Sequence, residues 1–206
     1  MEITEIFYSL QGEGKWTGQP NIFIRTSGCN LRCSYCDTKY AYQPGESKTI
    51  DEIIKKISKY PCKHVCVTGG EPLIQDQTSV LIDTLLKNKY KICVETNGTK
   101  YVDIIPKNKD ILISLDVKCP SSNMHKKMRL ENINLLQEKD QIKFVVKDEN
   151  DYNYAKNVIE KYSPICEVFI QPVWKTDYKK VVERILEDGL NVRLGLQLHK
   201  IIKNMK

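Results

Sequence analysis

The sequence predicts an α/β fold: a mostly parallel sheet with helical crossovers that curls into a partial, open barrel. Short β-branched apolar runs alternate with stretches of helical periodicity along the chain, the pattern of strand–helix–strand units with right-handed crossovers. These units are too few, and 206 residues too short, for a closed eight-unit barrel. Nearly every unusual polar cluster also stands just after a strand, which is where parallel sheets and barrels build their active sites.

In chain order, Ile3–Leu10 reads as an edge strand and Ile22–Thr26 as the first β-branched run. Ile50–Lys59 reads as a helix with Ile53, Ile54 and Ile57 on one face and Thr49 or Asp51 as its cap. His64–Thr68 is a strand, and Thr78–Asn88 a helix carrying Leu81, Ile82, Leu85 and Leu86. Lys91–Thr96 and Ile111–Asp116 are strands, and Met128–Lys139 is a weaker helical stretch. Gln141–Val146 and Glu167–Gln171 are strands around the helix Asp151–Tyr162. The helix Tyr178–Asp188 stops at Gly189, and Asn191–Gln197 is the last strand. No linker, low-complexity tract or repeat interrupts the series, so residues 1–206 read as a single domain.

The net charge of +6 comes from lysines spread over the whole chain. This describes a solvated basic surface suited to anionic small molecules rather than a nucleic-acid-binding patch. No run of apolar residues is long enough to span a membrane. The opening Met1–Glu5 lacks the basic and apolar regions of a signal peptide. Eight cysteines without an export signal argue against a disulfide framework and for a reducing cytoplasm.

Three of those cysteines stand together in Cys29-Asn30-Leu31-Arg32-Cys33-Ser34-Tyr35-Cys36, with no fourth ligand nearby. A structural zinc ion is almost always four-coordinate, and a four-iron cluster prefers four thiolates. Three ligands leave one metal position open to a small molecule. The alternative is a zinc knuckle that borrows a distant Cys or His. Cys62 and Cys66 form a second C-x3-C pair, but Cys62 follows Pro61 at a helix-to-strand link and Cys66 lies inside an apolar strand. Cys93 is similar, and Cys119 and Cys166 have no partner at ligand spacing. All five read as small buried apolar residues.

The second strand ends in Thr68-Gly69-Gly70-Glu71-Pro72, where paired glycines let backbone approach a ligand closely. The next strands end in Glu95-Thr96-Asn97-Gly98, in Ser114, Asp116 and Lys118, in Gln171-Pro172-Val173-Trp174, and in Gln197 and His199.

The three-cysteine spacing with the Gly-Gly-Glu-Pro turn resembles the radical S-adenosylmethionine (SAM) superfamily. The resemblance goes further. Leu10-Gln11-Gly12-Glu13-Gly14, Gly18, Arg25, Cys36-Asp37-Thr38, Thr68–Pro72, Glu95–Gly98, Asp116-Val117-Lys118 with Pro120-Ser121, and Leu196–Lys200 recur in this order in the 7-carboxy-7-deazaguanine synthases. The match covers nearly the whole chain, and its most specific parts are the Leu-Gln-Gly-Glu-Gly opening and Cys-Asp-Thr. A glycyl-radical activase acting on a partner protein would share the cysteines without that opening.

The resemblance implies a partial TIM-like barrel of the radical SAM type that converts 6-carboxy-5,6,7,8-tetrahydropterin to 7-carboxy-7-deazaguanine with loss of ammonia. The product feeds queuosine- and archaeosine-type tRNA nucleosides, so nucleic acid is not itself a ligand. In the family, SAM is cleaved to an adenosyl radical that takes and later returns a substrate hydrogen, so no side chain is expected to act as an acid or base. By similarity, Cys29, Cys33 and Cys36 hold a [4Fe-4S] cluster. Tyr35, Cys36 and Asp37, Gly70 and Glu71, Ser114, Asp116 and Lys118, and Gln171, Pro172, Val173 and Trp174 bind SAM. Leu10, Gln11, Gly12, Glu13, Arg25, Thr68, Glu95 and His199 bind substrate, with Arg25 as the fork for its carboxylate. Thr38 matches the magnesium ligand of the family.

Several of these residues keep a plainer alternative. Arg25 also reads as a surface ion pair, Glu95 as a carboxylate at a helix start, Thr38 as a helix cap and Trp174 as a core or rim aromatic. A flavodoxin- or ferredoxin-type electron donor and a homodimer are further implied. The chain departs from the family pattern after Lys200, where Ile201–Lys206 carries no glycine or proline, so no substrate contact is assigned to that tail.

Overall fold

The computed structural model describes residues 1–202; the tail residues 203–206 lie outside the described residues. One sheet organises the chain. Its strands are β1 (Glu2–Leu10), β2 (Pro20–Thr26), β3 (Glu46–Ser47), β4 (His64–Gly69), β5 (Lys91–Thr96), β6 (Ile111–Lys118), β7 (Gln141–Val146), β8 (Glu167–Pro172) and β9 (Arg193–Leu194). Their spatial order is β3-β1-β2-β4-β5-β6-β7-β8-β9. From β2 to β9 every pairing is parallel, and β1 runs antiparallel to both β2 and β3. With β3 and β9 at opposite edges the sheet stays open, as the sequence predicts. The edge assignment of β1 needs one amendment, because two-residue β3 pairs along its start.

The crossovers are α1 (Ile50–Ile57), α2 (Thr78–Lys87), α3 (Glu149–Tyr162) and α4 (Tyr178–Asp188), with a short α5 (Leu198–Ile201) closing the described chain. Thr49 and Glu52 form a reciprocal capping box at the start of α1, which satisfies two amide donors that a helix start leaves unpaired. None of these helices is long and apolar enough to cross a membrane.

Strand side chains alternate between two faces, and here the faces differ in chemistry. Ile22 and Ile24, Val65 and Val67, Ile92 and Val94, Ile113 and Leu115, and Ile142 and Phe144 pack toward Leu81, Ile82 and Leu85 of α2 and Ala155 of α3, all in one apolar core. The intervening residues face the concave side. Low on that side Phe23, Cys66, Cys93 and Leu112 form a small apolar floor with Phe7 and Trp16 against it. Two residues further along the same strands come Arg25, Thr68, Glu95 and Ser114. The ends of β2, β4, β5 and β6 thus open over one floor.

Two predicted elements form differently. Met128–Lys139 is a 3-10 segment over Leu130–Leu135 rather than an α-helix. Its asparagines compete with the helix for backbone groups. Fully buried Asn132 donates to the carbonyls of Gly98 at 3.1 Å and Lys100 at 2.8 Å, and accepts from the Val102 amide at 3.1 Å. Asp140 takes the Gln137 amide at 2.8 Å. The strand expected over Asn191–Gln197 is reduced to Arg193–Leu194, an exposed edge pair ending at Gly195.

Asn132→Ala strips three backbone groups of their partners, at least two in buried surroundings. We expect a loss of about 2–4 kcal/mol, since each buried group left unsatisfied costs about 1–3 kcal/mol. Urea unfolding followed by circular dichroism checks this, with a lowered midpoint at unchanged slope.

Candidate active site

A cavity of about 850 Å³ opens at the carboxyl ends of the parallel strands. Its mouth carries the cysteine loop. Cys29, Cys33 and Cys36 are free, partly exposed and on the cavity wall. The loop is pinned at several points: Gly28 donates to Ala41 at 2.7 Å, the Glu71 amide donates to Gly28 at 2.9 Å, and the Ser34 hydroxyl donates to Ser121 at 2.6 Å. A Cβ on Gly70 would lie 2.0 Å from the Gly28 carbonyl oxygen and 2.9 Å from the Cys29 Cβ, so only glycine lets the two loops touch here.

These residues fit a cluster. The Cys29 sulfur accepts from the Leu31 amide at 3.4 Å and from Asn97 Nδ2 at 3.8 Å, the kind of donors that tune a metal-bound thiolate. Burial raises the Cys29 and Cys33 thiols above their ordinary pKa, and Lys118 opposes that rise. Metal binding would replace the thiol protons. Among the described residues, the set of ligand-type side chains whose donor atoms all lie within 4.8 Å of one another is elsewhere, at Cys66, Cys93 and Glu95. An adenosyl group also finds a fitting contact. Gln171, 1 % exposed, borders the cavity and holds its Oε1 without a hydrogen-bond partner.

The deeper half of the cavity is lined by Gln11, Arg25, Thr68 and Glu95. Arg25 donates from Nε to Glu5 at 2.9 Å, and its guanidinium lies 5.9 Å from the Phe7 ring centre and 5.8 Å from that of Tyr40. It is therefore ion-paired and also lines the cavity. Glu95 accepts from Gln11 Nε2 at 3.2 Å and from the Thr68 hydroxyl at 2.8 Å. It stands inside a strand, not at a helix start.

A buried chain of charge joins the two halves. Lys143, 5 % exposed, contacts Glu13 and lies 3.1 Å from Asp116 Oδ1, while Lys118 takes Asp116 Oδ2 at 2.9 Å. Burial alone would raise the Glu13 carboxyl, but the Lys143 ammonium reverses that and holds it below its ordinary value. Asp116 is likewise lowered against its burial by Lys118 and Lys143.

The last described segment straps the wall. Gln197 donates to Glu13 at 2.9 Å, and Leu198 donates to the Gly12 carbonyl at 2.9 Å. The His199 ring lies where a Cβ on Gly12 would be, 2.2 Å from Nδ1. Lys200 pairs with Asp37 at 2.7 Å. Burial pushes Asp37 up, but Lys200 and the Thr38 hydroxyl outweigh it and bring the carboxyl down to about 2. Thr38 precedes a 3-10 turn without capping it, and its side chain stands on the cavity wall with Leu10 and Tyr35.

Most residues singled out from the sequence converge here, including Lys118, Val173 and a partly buried Trp174 on the rim. Three side chains stand back from the wall. Ser114 is fully buried and accepts from Gln141 at 2.8 Å. Pro172 is buried at the end of β8. Glu71 is fully buried and accepts from Leu73 N at 2.9 Å, Thr96 Oγ1 at 2.8 Å and Asn97 N at 2.6 Å. Burial pushes its carboxyl up to about 7 against those donors. Glu71 thus braces the turn, and the ligand-facing part of Gly69–Glu71 is glycine backbone. Sequence reading missed Lys143 and Glu5, and named Asn97 and Lys200 only as members of their motifs, with no role. Lys143 left one signal: a lysine between Gln141 and Val145 at the inward positions of a strand.

The family model for the radical SAM superfamily matches residues 23–148. A 7-carboxy-7-deazaguanine synthase of Methanospirillum hungatei is 45% identical over 206 aligned residues, covering 98% of this chain and 85% of that protein. Another from Thermoplasma acidophilum is 37% identical, covering 98% and 97%. Among solved structures, QueE from Escherichia coli superposes with a TM-score of 0.77 at 25% identity, covering 96% of this chain and 94% of its own. SuiB from Streptococcus suis, bound to its precursor peptide SuiA, shares the fold at a TM-score of 0.62 and 15% identity over 84% of this chain and 47% of its own.

Lys143→Met leaves Glu13 and Asp116 buried without their shared cation. The expected destabilisation at neutral pH is about 3–5 kcal/mol. It should shrink as pH falls, because the wild-type advantage of a lowered Glu13 is present above its ordinary pKa of 4.5 and fades as the carboxyl protonates. Denaturant midpoints of both proteins between neutral and mildly acidic pH check the sign.

Proposed function

The chain belongs to the radical SAM superfamily and, within it, to the 7-carboxy-7-deazaguanine synthases, and on that premise we propose how its single domain divides the labour. The enzyme serves deazapurine biosynthesis with a [4Fe-4S] cluster and SAM. Its substrate is 6-carboxy-5,6,7,8-tetrahydropterin, and its product is 7-carboxy-7-deazaguanine with release of ammonia. When bound, the cluster and SAM supply one-electron cleavage and hydrogen abstraction. The protein binds, orients and shields.

The observation that carries this reading is the meeting of three sequence-distant motifs on one cavity: the cysteine loop, the Gly69-Gly70 turn and the Leu10–Glu13 segment. Cys29, Cys33 and Cys36 would hold the cluster beside the amino-acid end of SAM. The backbone at Gly70 faces that end, with Glu71 holding the turn in shape. Asp116 and Lys118 bound the ribose and carboxylate side, together with Tyr35 and Asp37. Gln171 offers its unpaired Oε1 to the adenine amino group, beside Val173 and Trp174.

On the substrate side, Arg25 presents its fork to the pterin carboxylate, oriented by Glu5. Glu95 and Glu13 accept from the donor edge of the ring. Gln11 and Thr68 hold Glu95 in place, and His199 closes over Gly12. Thr38 supplies a hydroxyl to magnesium, an ion that keeps several waters and needs few protein ligands. A flavodoxin- or ferredoxin-type electron donor and a homodimeric state rest on the family resemblance alone, and a cytoplasmic setting rests on eight cysteines without an export signal. The glycyl-radical activase has no counterpart among relatives that match this chain nearly end to end as synthases.

Anaerobically reconstituted protein with SAM, a reductant, magnesium and the carboxylated tetrahydropterin should release the deazapurine, and Thr38→Val should weaken magnesium stimulation. Cleavage of SAM without ring contraction would overturn the substrate assignment.

Gln171→Leu removes an unpaired acceptor from the side of the cavity proposed for the adenosyl group. We expect the KM for SAM to rise about tenfold, the worth of one hydrogen bond of about 1.4 kcal/mol, while the KM for the pterin stays put. Steady-state kinetics with each substrate varied in turn checks the split.

A further inference from the structure

Beneath the carboxylate row the concave floor holds two thiols that the reaction does not use. Cys66 and Cys93 are register partners on the adjacent parallel strands β4 and β5, 0 % and 3 % exposed. Glu95 stands two residues past Cys93 on the same face. The sulfur of Cys66, the sulfur of Cys93 and a carboxylate oxygen of Glu95 all lie within 4.8 Å of one another. The strand register sets the two thiols side by side, and the Glu95 carboxylate completes a three-donor group within ligand reach.

Gln11 supplies a second, independent observation. Its amide nitrogen donates both to Cys66 Sγ at 3.5 Å and to Glu95 Oε1 at 3.2 Å. An N–H₂ group bonded to a sulfur and to a carboxylate marks a point where lone pairs from two strands converge. That amide is held from behind, because its Oε1 accepts from the Gly12 amide at 2.8 Å.

We propose that Cys66, Cys93 and Glu95 form a binding site for a thiophilic divalent cation such as zinc, and that occupancy of this site excludes the pterin. Two sulfurs and one carboxylate are a borderline-soft donor set that prefers zinc to magnesium or calcium. Zinc bonds of about 2.3 Å to sulfur and 2.1 Å to oxygen put tetrahedral ligand atoms about 3.5–3.8 Å apart, so the three side chains need close by only about 1 Å. Each thiol releases its proton to solvent as its metal–sulfur bond forms. A water fills the fourth position, on the cavity side. The ion takes the place of the Gln11 N–H₂ group and occupies the Glu95 oxygen that it now engages. The exclusion of pterin rests on the reading of Gln11 and Glu95 as substrate residues. The metal site itself does not.

The test uses cluster-loaded enzyme under anaerobic, thiol-free conditions, with zinc as the probe. Equilibrium dialysis with elemental analysis of zinc and iron should find one zinc per chain at full iron content. Cys93→Ala and Cys66→Ala should bind at least tenfold more weakly while turning over normally without zinc. Cys93→Ser, closer in size, replaces Cys93→Ala if the latter loses its cluster. In kinetics, zinc should raise the KM for the pterin and leave the KM for SAM unchanged, and the cysteine variants should escape this inhibition. Equal zinc uptake by wild type and Cys93→Ala, or uptake only as iron is lost, would overturn the site. Cysteine-dependent binding without a change in the pterin KM would uphold the site and overturn its link to substrate.

Discussion

The three-cysteine loop is held against the Gly69-Gly70 turn, the turn proposed to receive SAM, and the hold is backbone on backbone. Gly70 approaches Gly28 so closely that no side chain fits between them, and the Glu71 amide donates to the Gly28 carbonyl. Glu71 spends its carboxylate on Leu73, Thr96 and Asn97, which ties the ends of β4 and β5 together beneath the loop. Asn97 returns the favour by reaching the Cys29 sulfur. On the proposed reading, the placing of the cluster loop against the glycine turn depends on this small interlocked set.

Below it, alternation along parallel strands does the sorting. One face of each strand meets the helices and is apolar. The other face runs from an apolar floor to charged ends. Glu13, Lys143, Asp116 and Lys118 then form a continuous chain of charge along the cavity, from the half proposed for substrate to the half proposed for SAM. Buried ion pairs are weak sources of stability but strong sources of specific geometry when each charge has its partner. The charge chain therefore fixes how the two halves of the cavity sit relative to each other, and the final segment from Gln197 to Lys200 locks the rim to both.

Much of this was legible in the residues themselves. The cysteine spacing, the Gly-Gly-Glu-Pro turn and the strand-end positions of Arg25, Glu95 and Asp116 announced both the architecture and the cavity. What stayed hidden has a common physical cause. Lys143 looks like one more surface lysine until the register of β7 turns it inward. Glu5 lies twenty residues from Arg25 and meets it only across the antiparallel β1–β2 pair. Glu71 and Ser114 belong to ligand-binding motifs, yet their side chains face inward as braces. Met128–Lys139 has helical spacing, but Asn132 is worth more to the neighbouring loop than to a helix. In each case a long-range partner decided the outcome.

The most direct test of the central claim is an anaerobic crystal structure of the enzyme with its cluster, SAM and the carboxylated tetrahydropterin. The account expects three protein thiolates, from Cys29, Cys33 and Cys36, with the fourth iron taken by the amino-acid end of SAM and the pterin between Arg25 and Glu95. A fourth protein ligand on the cluster, or a pterin bound away from the Gln11–Glu95 wall, would contradict it.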